Sequence, residues 1–244
     1  LHEKKYIEKS LVTPDGTSFK LYHAHSGHKK LLIIGPGFQN NHSHVKKVAQ
    51  LFHDNYDVLL FDYRWTEGLG SYISTSNNLK RPTAALLLDE LLEIETVVRY
   101  ARTLPYEKII GLGQCYSAFL FVVAQAEAQE EGRLLFDKLI LDSCFYSLDE
   151  LLKSFLQDPF LAMDSKKGGF PSLLRKLVIS NEAINVVATF FKLSGKDFPL
   201  APYLKKIKST PILFIHGTGD KLVTKRSFKK IWKAAPADKS HLST

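Results

Sequence analysis

The sequence predicts an α/β fold built on a mostly parallel central sheet. Three features point there. Short apolar runs alternate with helical patterns along most of the chain. Several runs, such as Leu31–Ile34 and Val58–Phe61, are unbroken, as strands buried on both faces require. One of them, Ile109-Ile110, passes through Gly111, Gly113 and Gln114 into Cys115 and then into a helical pattern. With 244 residues the chain can bury one such core as a single domain.

In order, Tyr6 to Thr13 and Ser18 to His23 flank Pro14-Asp15-Gly16, whose turn chemistry predicts an opening hairpin. Leu31–Ile34 reads as a buried strand, and Val45, Val48, Ala49 and Phe52 then recur at helical spacing. After the strand Val58–Phe61, a long helix from Thr83 to Arg102 turns Leu87, Leu88, Leu91, Ile94 and Val98 inward, and Pro105 stops it. A helix over Phe119–Ala128 follows the Cys115 turn, then come strands at Leu139–Leu141 and Ile212–Ile215 and a short one at Ala237–Ser240. Residues 143–210 interrupt the rhythm with helical patterns at Leu151–Leu156, Leu173–Val178 and Ile184–Phe191, broken by Gly168-Gly169 and Pro199. The chain therefore divides into a core of 1–142 and 211–244 and a helical lid insertion of 143–210.

The composition, 45% hydrophobic and 24% charged, is that of a soluble globular protein. No apolar run approaches the ~18 residues of a membrane span. The opening Leu1-His2-Glu3-Lys4-Lys5 has neither an initiating Met nor the apolar centre of a signal peptide. Cys115 and Cys144 do not make a disulfide framework and suit a reducing, cytoplasmic setting. The net charge of +8 is uneven: residues 1–150 hold 16 Lys and Arg against 19 Asp and Glu, and residues 151–244 hold 17 against 6. A basic half of this kind chiefly solvates a surface, and it also suits contact with anionic lipid or an acidic acyl carrier. Nothing in the sequence matches a nucleic-acid-binding module.

Gly113-Gln114-Cys115-Tyr116-Ser117 is similar to the nucleophile elbow Gly-x-Ser-x-Gly, with cysteine for the serine and serine for the last glycine. Gly35-Pro36-Gly37-Phe38 resembles an oxyanion-hole segment. Phe61-Asp62-Tyr63-Arg64, with Gly68 and Gly70 behind it, resembles an Asp-Tyr-Arg-Gly-x-Gly stretch. Pro211 to Asp220 resembles a strand and loop bearing a catalytic acid, and His241 follows where a catalytic histidine is expected. Four motifs in this order resemble the α/β-hydrolase superfamily, nearest its lidded lipases and esterases. The resemblance implies an α/β-hydrolase fold, a mostly parallel sheet flanked by helices under a helical lid.

It further implies a triad of Cys115 as nucleophile, His241 as base and Asp220 as the acid orienting it, with Asp142 as alternative acid. The oxyanion hole would be the backbone N–H groups of Phe38 and Tyr116. The expected substrate is a small-molecule acyl ester or thioester, and neither cofactor nor metal is called for. A thiolate leaves more readily than an unprotonated amine, so esters and thioesters suit a cysteine better than amides. Ser117 is a rival nucleophile, crowded by Cys115 and Phe119 and better suited to standing in for the motif's last glycine. The same triad could serve an acyltransferase, and a binding protein that has lost catalysis is the alternative from another class. His23-Ala24-His25-Ser26-Gly27-His28 nearly matches a binuclear metal motif, but Gly27 stands where a carboxylate is required. These histidines therefore read as strand-end and turn residues. A dinucleotide fingerprint at Gly111 to Tyr116 is disfavoured because Tyr116 replaces the glycine needed for close helix packing.

Overall fold

The computed structural model describes residues 4–37, 40–67, 89–147, 150–151, 154 and 199–244. Strands β1 (Ile7–Val12), β2 (Ser18–Ala24), β3 (Lys30–Gly35), β4 (Asp57–Phe61), β5 (Lys108–Gln114), β6 (Lys138–Asp142), β7 (Ile212–His216) and β8 (Lys239–Ser243) form one sheet. Their order is β1-β2-β4-β3-β5-β6-β7-β8. β2 runs antiparallel to both β1 and β4, and every pairing from β4 to β8 is parallel. The described helices are α1 (His42–Gln50), α2 (Glu90–Arg102), α3 (Tyr116–Glu130), α4 (Leu200–Lys206) and α5 (Lys225–Ala234).

Alternation along the parallel strands sends successive residues to opposite faces. Leu31, Ile33, Leu59, Phe61, Ile109, Leu139, Leu141 and Phe214 pack with α2, α3, α4 and α5 in one cluster. Leu32, Ile34, Val58, Leu60, Ile110 and Leu112 pack with Val45 and Ala49 of α1 in the other. α3 is buried almost all round, with Tyr116 to Ala126 inaccessible, so its sequence is apolar rather than striped. Mid-helix, the buried Gln125 is bonded at both ends: Nε2 donates to Thr210 Oγ1 at 2.9 Å and Oε1 accepts from the Phe136 N–H at 2.9 Å.

A buried arginine fastens the hairpin to this core. After β4 the chain makes a 3-10 turn, Arg64–Glu67. From it Arg64 reaches Glu93 Oε1 on α2 at 2.6 Å and Asp15 Oδ2 in the hairpin turn at 2.7 Å. Charged hydrogen bonds of this kind are strong only when both partners are held, and Glu93 is fully buried.

The expected strands and hairpin are present. Two boundaries differ, and one helix is unexpected. α3 begins at Tyr116 rather than Phe119, because Cys115 makes the whole change of direction in one residue. β8 runs from Lys239 through Ser243, so His241 lies within the strand and not beyond it. α5 has no counterpart among the expected helices: Lys225, Arg226, Lys229, Lys230 and Lys233 hide its short inward face of Ser227 and Ile231. The start of α2 expected at Thr83, and the lid helices expected over 173–178 and 184–191, lie outside the described residues. Among the described residues no helix is long and apolar enough to cross a membrane.

Candidate active site

β5 ends at Gln114 and α3 begins at Tyr116, leaving Cys115 alone to turn the chain at φ 50 and ψ −102. For a residue with a side chain this backbone is strained, and the surrounding bonds must hold it. They do so from two sides. The Cys115 N–H donates to the Asp142 carbonyl at 2.8 Å, and its carbonyl accepts from the Phe119 N–H at 3.2 Å. Gly113 makes the turn possible: a Cβ there would lie 2.5 Å from the backbone nitrogen of Ala118. Cys115 is partly exposed at the N-terminal end of a 15-residue helix, the electropositive end of its dipole.

Ser117 is fully buried. Its hydroxyl donates to the Pro36 carbonyl at 2.6 Å and lies 2.8 Å from the Tyr63 hydroxyl. It cannot meet a substrate, and its role is to join the elbow to the segment after β3. A Cβ on Gly37 would come within 3.7 Å of the Cys115 Cβ, so that segment passes directly beside the nucleophile position. Phe38, its expected oxyanion donor, lies outside the described residues. Tyr116 opens α3, and N–H groups of a first turn face the helix N-terminal end. Its ring is buried edge-on to Tyr63, with centroids 6.2 Å apart.

Asp142 ends β6 beside the elbow, in register with Gln114. Burial raises the pKa of its carboxyl, while hydrogen bonds from Gln114 and Ser143 lower it; Asp220 adds a raising charge and His216 a lowering one. Asp220 lies in the loop after β7, its Oδ1 accepting from the N–H groups of Leu222 and Val223 at 2.9 Å each. His241 pairs with Phe214 across the β7–β8 register. Its ring faces Phe228 and Trp232 of α5, with centroids 5.4 and 5.5 Å away, and its Nε2 lies 2.9 Å from Ser243 Oγ. β8 is three places from β5 in the sheet, roughly 14 Å at the usual strand spacing. The structure thus gathers Cys115, Asp142 and Asp220 at the C-terminal edge of the sheet. His241 stands on β8, three strands from the elbow, with its ring against α5.

No protein-family model matches the chain, and no curated protein matches it in sequence. Solved structures do match its shape. An esterase of Pyrococcus furiosus superposes with a TM-score of 0.70 at 18% identity, over 99% of this chain and 82% of that one. An alpha/beta hydrolase, GrgF, from a Penicillium species gives 0.64 at 15% identity, over 98% and 89%. An alpha/beta hydrolase from Sphaerobacter thermophilus gives 0.59 at 14%, over 96% and 91%.

The chain has the α/β-hydrolase fold.

Within this fold one group at the same edge lies inside a sequence motif without being assigned a role by it. His216 ends β7, buried, its ring stacked on Phe228 at 4.7 Å and nearly parallel. Its Nδ1 is buried without a hydrogen-bond partner among the described residues. His216 influences the Asp142 carboxyl and stands two strands from the elbow, roughly 10 Å. The signal that could have found it is its place as last residue of an apolar strand, at the end of a parallel sheet where ligands commonly bind. Cys144, two residues past β6, is only 3% exposed, and burial with the neighbouring Cys115 pushes its thiol well up. The one described group able to hold a metal, His23, His25 and Asp57, lies at the other edge of the sheet.

Proposed function

We propose that this protein hydrolyses carboxylic esters or thioesters through a covalent acyl-enzyme on Cys115. The observation that carries the reading is the positive-φ turn that presents this thiol at the start of α3 beside Gly37. The esterase and hydrolases that share the fold support the reaction class. The Cys115 thiolate attacks the acyl carbonyl carbon, and the N–H groups of Tyr116 and Phe38 are the intended donors to the resulting oxyanion. Collapse breaks the bond to the leaving oxygen or sulfur, which departs with a proton and leaves an acyl-thioester on the enzyme. Water then adds to that thioester, the carboxylic acid leaves, and the thiol is restored. Asp220 and Asp142 are the candidate acids.

The histidine is the part of the expected triad that the geometry supports least, since β8 stands three strands from β5 and the His241 ring lies against Phe228 and Trp232. That separation favours a second reading, a binding protein with the fold of a hydrolase and no turnover. One set of assays separates them. Cys115→Ala is expected to abolish release of p-nitrophenol from short-chain esters and of thiol from acyl-thioesters. His241→Gln is expected to leave turnover within about twofold, whereas a loss of about a hundredfold would make His241 the base. Turnover unchanged in Cys115→Ala removes this function, and absence of turnover in the unmodified protein favours the binding role. The basic α5, with Lys225, Arg226 and Lys229 exposed, suits an acidic acyl carrier or anionic lipid as the donor of the acyl group.

A further inference from the structure

At the N-terminal edge of the parallel strands, four polar side chains converge on one point. His23 is next to last in β2, Asp57 opens β4, His25 follows β2, and Tyr106 precedes β5. Single donor atoms of His23, His25 and Asp57 all lie within 4.8 Å of one another. The Tyr106 hydroxyl stands among them, 2.8 Å from His23 Nε2, 2.8 Å from Asp57 Oδ2 and 3.3 Å from His25 Nδ1, while His25 Nδ1 is 2.5 Å from Asp57 Oδ2. A tetrahedral zinc-class ion with bonds of about 2.0–2.1 Å needs donor atoms about 3.3 Å apart. The four hydrogen-bonded separations lie at or just below that value, so the cluster need open by less than about 1 Å to admit the ion.

The surroundings are those of a ligand set, beyond the contacts of the cluster itself. Asp57 has a buried side chain, and its Oδ1 is taken by two backbone N–H groups, Ser26 at 2.8 Å and His28 at 3.1 Å. Both bonds need the sharp turn made by Gly27 at φ +84. The carboxylate is thereby fixed with Oδ2 presented to the two histidines, the outer-sphere support metal-binding carboxylates use. The His25 side chain is 58% exposed, so solvent ions can reach the site. His28, the third histidine of the run, is turned away, its Nε2 bonded to the His53 carbonyl at 3.1 Å. Gly27 occupies the place of the expected motif carboxylate, and the carboxylate comes instead from Asp57, on the neighbouring strand.

We infer that His23 Nε2, His25 Nδ1 and Asp57 Oδ2 form a binding site for one divalent transition-metal ion of the zinc class, with the Tyr106 hydroxyl at its fourth corner. Binding leaves both imidazoles neutral: the His23 proton moves from Nε2 to Nδ1 and the His25 proton from Nδ1 to Nε2, each by exchange with solvent, and His25 Nδ1 gives up its hydrogen bond to Asp57. The site lies across the sheet from Cys115, roughly 20 Å away along β5 at about 3.3 Å per residue, so it is structural and independent of the proposed hydrolysis.

The test uses the full chain without a histidine tag, stripped with chelator. Zinc titration by calorimetry is expected to show one saturable equivalent, and cobalt(II) to give the intense visible bands of a four-coordinate site. His23→Gln and His25→Gln, both outside the core, should each remove saturable binding. Tyr106→Phe should weaken it about tenfold. Asp57→Asn also disturbs the Ser26–His28 turn, so the histidine variants, checked for unchanged circular dichroism, carry the decision. No saturable equivalent in the unmodified protein overturns the proposal, as does binding that persists at equal affinity in the His23→Gln and His25→Gln double variant.

Discussion

The hydroxyls of Tyr63 and Ser117 lie 2.8 Å apart, both buried, joining the chain after β4 to the first turn of α3. Ser117 takes the last glycine position of the elbow motif, and this bond together with the one to Pro36 satisfies the hydroxyl that the replacement introduces. Ser117→Ala is therefore expected to cost about 1–2 kcal/mol of stability while esterase turnover falls far less than in Cys115→Ala. Denaturant melts and initial rates on the two variants check it. Equal loss of turnover in both would make Ser117 part of the chemistry.

Gly113→Ala should be among the most damaging substitutions in the core. Its Cβ would meet the Ala118 backbone at 2.5 Å, and backbone atoms cannot rotate away as a side chain can. A loss of about 3 kcal/mol or more is expected, read as a drop in the urea midpoint.

The two cysteines should behave oppositely toward iodoacetamide. Cys115 is partly exposed at a helix N-terminus, and Cys144 is buried with its thiol held well up. Mass spectrometry should find a single label on native protein, at Cys115, and a second only after unfolding. Labelling of Cys144 first would contradict the burial described.

A pH dependence follows from Glu90. In the first turn of α2 its carboxyl is buried, with Oε2 unpartnered among the described residues, and burial raises its pKa from an ordinary 4.5 to about 8. A raised carboxyl favours the fold while protonated, so its contribution is complete below about pH 4.5 and is lost as pH climbs toward 8. A tenfold change in proton affinity corresponds to about 1.4 kcal/mol, so the whole effect is on the order of a few kcal/mol. Thermal melts should show stability falling over this window, and Glu90→Gln should flatten the fall. Asp15 has the opposite sign. Burial would raise it, but hydrogen bonds from Thr13 and Arg64 outweigh that and hold it at about 2, so its contribution is lost only in acid.

The parts of the fold legible in the sequence were those whose cause is local. Val58–Phe61 reads as a strand because a strand buried on both faces must be apolar throughout, and Cys115 reads as an elbow because Gly113 before it leaves room for the helix. The parts that escaped depend on distant partners. The strand expected at Ala237–Ser240 runs on to Ser243, because Lys239-Ser240-His241-Leu242-Ser243, with no apolar run of its own, pairs along β7 as an edge strand with its outer side in solvent. Once those residues are a strand, His241 faces α5 and not the elbow. The Asp57 carboxylate could not be assigned to His23 and His25 from spacing, since the register of β2 against β4 brings them together.

The bond from Ser117 to Pro36 has a further consequence. It makes the thiol-bearing turn and the neighbouring glycine-lined segment a single mechanical unit, so neither can drift without dragging the other. Evolution at such a place should proceed by paired replacements: a residue that severs this tie would blur the aim of the nucleophile and its anion cradle together, and repair of one alone would restore neither.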